Sequence, residues 1–280
     1  MKVRTAVLRR AALASVSVVL FLLFVYLFFP VRRVNALIDQ ALASQGLTIS
    51  PGAEKSLVPG LVWNGSLLAS ERGALVRFNR LNVRPLLMPL LAGRPVFQSR
   101  ASLGAGSLEL VYGSSGREAL TLSVNDIGLA DLPFFQTVLS ARAGGTLRSS
   151  GRLTRNAQGL SGEIQVEVKQ LELSGVKLGA FALPDVRQLA AQGMVKVTGG
   201  RARLESFTLQ GDGIYMRLSG DLPSGAHAVS APLNLVLEIM PKPEFLESQK
   251  LVFMLLARFM VSPGVYRVPV RGTLLKPEVL

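Results

Sequence analysis

The chain is 280 residues long, nearly half of them hydrophobic, and carries a formal charge of +13 with no cysteine. That length and apolar content suffice to bury a sizeable core, so a mainly disordered chain is excluded. The missing cysteine excludes disulfides, thiolate metal sites and cysteine nucleophiles, and the positive balance, mostly arginine, favours anionic partners.

The first ten residues, MKVRTAVLRR, hold Lys2, Arg4, Arg9 and Arg10 and form a basic tail. Nineteen uncharged residues follow from Ala11 through Leu20 to Phe29. At ~1.5 Å per residue this stretch is long enough to cross a bilayer, and a transmembrane helix is expected over 11–30. More cations precede it than the Arg32 and Arg33 that follow, which places the N-terminus in the cytoplasm and the remainder outside. A signal peptide cut after Ala36 is the alternative. The apolar run exceeds the ~7–15 residues of a usual signal core, and two arginines separate it from the candidate cut.

Residues 31–46 continue as an amphipathic helix. Val31, Val34, Leu37, Ile38, Ala41 and Leu42 recur at helical spacing and Gly46 supplies the stop. Its stripe suits docking on the chain's own domain or on a partner helix.

From 47 to 280 the period changes to that of strands. LTISP, GLVWNGSLLAS, ALVRFNRLNV, SLELVYG, ALTLSVNDI, GEIQVEVKQLELSG, GMVKVTGGRARLESFTLQ, GIYMRLSGDL and PLNLVLEIM alternate between turn residues. The Asn64-Gly65 and Asp212-Gly213 pairs predict hairpins. Segments 84–95, 129–145 and 241–264 break the pattern. In the last, Pro243, Glu244 and Glu247 open a helix over 243–262, with Arg258 near its end and Gly264 beyond. Its LVFMLLARFMV stretch is apolar on almost every side, so a second cover is expected beyond the sheet. Phe253, Leu256, Phe259 and Met260 are the candidate contacts for a partner or a lipid.

LRSSGRL, MRLSGDL and VPVRGTL share one frame, with Gly151, Gly220 and Gly272 falling on the apolar face of their strands. A glycine there permits a bulge, a bend or close approach of another element, or opens a groove for an acyl chain. The last copy lies in VYRVPVRGTLL, which is expected to pair inside the sheet. Pro269 then belongs on the free side of an edge strand or at the strand start.

No motif for catalysis or metal binding emerges. His227 is the single histidine and sits in the turn-like PSGAHAVSAP without a companion ligand. Asp126 and Asp131 lack the carboxylate density of a calcium loop. GxSxG, Walker and dinucleotide fingerprints are absent, leaving only a serine-lysine dyad or paired carboxylates open. The chain is not expected to be an enzyme, and neither cofactor nor metal is expected.

The order of these pieces carries a resemblance. A basic tail, a membrane helix, ALASQGLTI, RPLLMPLLAGRPVFQSRASLGAGSLEL, GGTLRSSGRLT with GEIQVEVKQLELSG, and YRVPVRGTLLKPEV together resemble the type II secretion system protein N family. RPLLMPLLAGRPVF is also similar to the N-terminal part of AsmA-like periplasmic proteins. The resemblance implies an inner-membrane protein whose periplasmic β-domain, an elongated, curved and largely antiparallel sheet, accompanies the machinery exporting folded proteins. Membrane lipids and other secretion-system proteins are the implied partners. An AsmA-like apolar β-groove carrying a lipid chain is the alternative. Nucleic acid is not expected, since a periplasmic domain meets none routinely.

Overall fold

The computed structural model describes Val16, Ser17, Leu20 and residues 30–279, apart from 57, 58, 115, 179, 180, 212, 226 and 227. The expected transmembrane segment, with its ends at Ala11 and Phe29, falls almost wholly outside the described residues. Leu20 is described, helical and exposed. Among the described residues no helix is long and apolar enough to cross a membrane. His227 and Asp212 also lie outside them.

The chain divides into two compact units, Met1–Ile38 and Asp39–Leu280. Helix α1 (Val31–Ala43) ends in a turn in which the Gly46 amide donates to the Ala43 carbonyl. Gly46 has φ +69°, the left-handed stop that the sequence pattern calls for. Val31, Val34, Ile38 and Leu42 are half-buried, and no residue of α1 is fully buried.

The second unit is mainly β. Strand β1 (Leu47–Ser50) is followed by β2 (Glu54–Lys55), β3 (Leu61–Asn64), β4 (Leu67–Ser70), β5 (Gly73–Arg77) and β6 (Arg80–Pro85). Helix α2 (Leu87–Leu91) leads to β7 (Val96–Leu103), β8 (Gly106–Gly113) and β9 (Glu118–Gly128). A 3-10 turn (Leu129–Asp131) and helix α3 (Phe134–Leu139) precede β10 (Arg142–Asn156) and β11 (Gly159–Ser174). Then come β12 (Lys177–Leu178), β13 (Phe181–Ala182), β14 (Val186–Thr198), β15 (Arg201–Gln210), β16 (Ile214–Leu222) and β17 (Asn234–Pro241). Helices α4 (Pro243–Ser248) and α5 (Lys250–Leu256), a 3-10 turn (Ala257–Phe259), β18 (Met260–Ser262), β19 (Val265–Thr273) and β20 (Lys276–Val279) complete the chain.

One sheet of fifteen strands dominates, in the order β18-β19-β17-β16-β15-β14-β11-β10-β9-β8-β7-β6-β3-β2, with β20 pairing β19. Its registers are antiparallel, and sequence neighbours mostly lie side by side, as a meander requires. Strands β1, β4 and β5 form a separate three-stranded sheet, and β12 pairs β13.

The Asn64-Gly65 pair corrects the hairpin reading. Gly65 turns the chain with φ +62°, but β3 stays in the large sheet while β4 enters the small one. The Gly65 amide donates to the Asn79 carbonyl at 2.9 Å and the Phe78 amide to the Ser66 carbonyl at 2.8 Å, so the crossing is made of two adjacent chain segments. The cause lies in the flanking residues: Trp63 is buried opposite Leu81, whereas Leu68 pairs Val76 in the small sheet. Around Gly213 the expected hairpin does form, joining β15 to β16 with the Gly211 amide donating to the Ile214 carbonyl.

Direct partners in an antiparallel register share a face, and here they build apolar rows across the sheet. One row runs through Leu122, Gly151, Ile164, Val195, Leu204 and Gly220. Two of the three framed glycines therefore meet in a single row. At Gly220, φ is +138° and a Cβ would collide with the Asn234 carbonyl oxygen; an extra residue bulges the facing strand β15 between Leu204 and Phe207. Gly272, with φ +87°, approaches the Lys276 carbonyl oxygen beside the β19–β20 turn. At Gly151 the Ile164 side chain fills the space of the missing one, and the Phe207 ring does the same at Gly193. These glycines serve close packing and sheet bending; their hollows are filled from within the chain.

Strand β19 sits between β17 on one side and β18 and β20 on the other, and Tyr266, Val268 and Val270 are buried. Pro269 faces Val236 in the β17 register, while beyond it β18 pairs only as far as Tyr266 and β20 begins at Val270. The proline thus occupies the gap where the far side of the strand has no ladder partner, as its missing N–H demands.

Candidate functional site

The helical segment over the terminal strands departs from the single helix expected over 243–262. It is two short helices, a 3-10 turn and a strand, broken at Gln249, whose φ of −122° leaves the helical region. Pro243 opens α4 as its sequence position predicts. The break is held from outside: Gln249 accepts from the Asp185 amide at 3.1 Å and donates through Nε2 to the Asp185 carbonyl at 2.8 Å. Asp185 in turn accepts from the Gly175 amide at 2.7 Å, tying both helices to the loop before β14. At the other end, Met260 pairs Tyr266 and Ser262 pairs Val265 around Pro263 and Gly264, with Gly264 at φ +74°. A hairpin turn therefore competes successfully with the last helical turn.

Helix α5 has two apolar faces. Phe253, 3% exposed, and Leu256, 0% exposed, point into the core beside Ile239, Tyr266 and Val268. The Phe253 ring lies 5.2 Å from that of Tyr266 and 6.2 Å from that of Phe245, the latter nearly edge-on. Leu251, at 79% exposed, Met254 and Leu255 occupy the opposite side and are joined outside the core by Met260 and Val261. Of the four candidate partner or lipid contacts, Phe253 and Leu256 are therefore corrected to core residues, held by the sheet beneath α5, whereas Met260, at 47% exposed, sits on a short edge strand and stays open to solvent. Phe259 is half-buried against the core, and the Arg258 guanidinium lies 4.5 Å from its ring centroid.

On the opposite face of the sheet a cavity of about 590 Å³ crosses β9, β10, β11, β14 and β15. Ser123, Asn125, Ser150, Gln165, Gln192 and Thr208 line it. Arg148 stands at this cavity and donates to Asp126 Oδ1 through Nε and Nη2 at 2.7 Å. Asp126 holds the left-handed region at φ +51°. The Arg148 hydrogen bond holds the Asp126 carboxyl below the usual carboxylate range; desolvation opposes it, and the charges of Arg148 and Lys169 add smaller contributions in the same direction as the hydrogen bond. Lys169 also faces Glu167 at 3.8 Å. Hydroxyls and side-chain amides give this trough hydrogen-bonding capacity along both edges of an extended polar ligand. Among the described residues no group of three or more His, Asp or Glu is placed to hold a metal ion.

The trough is not legible in the sequence, since it takes two or three residues from each of five strands. The local trace is polar or charged residues at alternate positions: Thr121, Ser123 and Asn125 in β9, Arg148, Ser150 and Arg152 in β10, and Glu163, Gln165 and Glu167 in β11. Comparison with protein-family models, with curated proteins and with solved structures finds no match to this chain.

Proposed function

We propose that the chain is an inner-membrane-anchored periplasmic component of the type II protein secretion system, acting as a structural and interaction subunit. In this reading segment 11–30 spans the membrane with the N-terminus in the cytoplasm, and an elongated, curved sheet extends into the periplasm. The observation that carries it is the double-faced helix α5. One face is locked into the core through Phe253 and Leu256, and the other presents Leu251, Met254 and Leu255 beside Met260 and Val261. Contiguous apolar surface on a rigid element is what a protein interface uses at its centre. A photo-activatable residue at position 251 or 254, introduced in the native envelope, is expected to cross-link to other secretion subunits. Cross-links to lipid alone would remove the basis of this proposal.

A lipid-handling module is the second reading, favoured by one observation. Leu122, Ile164, Val166 and Val195 on the apolar side of the central strands are only half-buried. An acyl chain laid across them would complete their burial. Against it, Ile164 and Phe207 fill the glycine hollows that a groove would use. Native mass spectrometry of the protein released from detergent, read for bound lipid, separates the two readings.

A further inference from the structure

The connection between β6 and β7 is built unlike any other turn of the second unit. From Pro85 to Gly93 it reads PLLMPLLAG, without one polar side chain. Helix α2 within it buries none of its residues. Met88 is 83% exposed and Leu91 80%, with Leu87 and Leu90 also exposed. A helix that docks in a groove of another protein needs one apolar stripe with a polar rim. This turn is apolar all round and has no rim.

The backbone of the tip is turned in on itself. The Leu86 amide donates to the Val96 carbonyl, Leu90 to Leu86, Ala92 to Met88 and to Pro89, Gly93 to Leu90, and Arg94 to Pro89 at 2.8 Å. Pro85, Pro89 and Pro95 add no N–H. Internal pairing of backbone polar groups is the condition that hydrocarbon imposes and water does not. The base is rigid: Arg84 donates through Nε and Nη2 to Gln98 Oε1 at 3.0 and 2.8 Å, and Gln98 donates to Glu109.

The charge of the tip itself has one sign: Arg94 is the only charged residue from Pro85 to Phe97. Further down the strands Glu109 is already paired, with Arg100 at 3.2 Å. Arg94 is exposed at the foot of α2, and Phe97 and Tyr112, direct partners across β7 and β8, are exposed aromatics beside it. An aliphatic tip with an aromatic pair and an exposed arginine at its foot supplies a partner for each part of an anionic bilayer surface: acyl chains, interface and head groups.

We propose that α2 is a membrane-insertion tip, whose Leu87, Met88, Leu90 and Leu91 enter the acyl region of an anionic bilayer while Arg94 meets its head groups. This surface is separate from the outer face of α5, and either assignment can fail without the other.

Because the chain has no native cysteine, single cysteines can be placed at will. The full chain carrying Met88→Cys or Leu91→Cys, labelled with an environment-sensitive fluorophore, is reconstituted in vesicles of mixed phosphatidylcholine and phosphatidylglycerol. Lys196→Cys on exposed β14 serves as the reference. Probes at 88 and 91 are expected to shift their emission to the blue and to lose intensity to a quencher carried on lipid chains. They should ignore iodide present on both sides, while the probe at 196 shows the reverse. The lipid quenching should weaken in vesicles of phosphatidylcholine alone and with Arg94→Glu. Iodide quenching at 88 and 91 equal to that at 196 overturns the proposal. So does shielding from both quenchers, which means a second copy covers the tip. Undiminished lipid quenching in both the neutral vesicles and the Arg94→Glu variant overturns the anionic assignment.

Discussion

Truncating Leu256 to alanine tests whether α5 is clamped to the sheet as described. The side chain is 0% exposed and packs in one cluster with Phe253, Ile239 and Val268. Leu→Ala removes three carbons, worth ~0.8 kcal/mol each in transfer from water, or roughly 2.4 kcal/mol. The cavity left in a tight cluster raises this toward the middle of the ~2–5 kcal/mol range of such substitutions. Leu255, exposed on the next position of the same helix, is the matched control, with an expected effect within ~0.5 kcal/mol. Urea unfolding of the full chain in mild detergent is followed by circular dichroism and by the fluorescence of Trp63, the only tryptophan. Trp63 is buried on β3, near the edge of the sheet opposite to β19. A shift in both signals shows that the sheet unfolds as one unit; a shift in dichroism alone confines the loss to the α5 end. Equal midpoints for Leu256→Ala and Leu255→Ala in dichroism would refute the packing argument.

Three further outcomes follow from named contacts. Gly220→Ala places a side chain at φ +138° against the Asn234 carbonyl, and a loss of roughly 1–3 kcal/mol is expected in thermal unfolding. Ending the chain after Gly264 removes buried Tyr266, Val268 and Val270 and exposes β17; the sharp unfolding transition of the full chain should be lost, whereas an unchanged melting curve would show that β19 is dispensable. The Asp126 carboxyl should titrate below its ordinary ~3.9 in carbon-detected NMR and return toward it in Arg148→Gln. Since its folded value is the lower one, its stabilising contribution is present above ~3.9 and fades as the pH falls through the folded value.

Strand β16 shows what local pattern can reveal. In MRLSGDL the alternation alone assigns Met216 and Leu218 to the core face and Arg217 and Asp221 to solvent, and burial follows that assignment. Strand β7 shows the limit. VFQSRASL has no clean alternation, because Gln98 is buried between Arg84 and Glu109 while Phe97 is exposed, so its strand character comes from its neighbours. The segment 243–262 reads as one helix because its caps and apolar content agree. What overrides them is tertiary: the Gln249–Asp185 clamp and the pairing of β18 with β19. The apolar surplus of LVFMLLARFMV was legible, and the division into buried Phe253 and Leu256 against exposed Leu251 and Met254 was not. That division depends on where the sheet lies. The polar trough depends on register across five strands, which no single stretch of sequence encodes.

The interaction role rests most directly on the outer face of α5, and paired aspartates at Leu251 and Met254 test it. Both positions are exposed, so the doubly substituted full chain should keep its dichroism and unfolding midpoint. Purified from native membranes, it should lose the secretion-system subunits that accompany the unsubstituted chain. A folded variant that still brings down the same subunits in the same amounts would contradict the account.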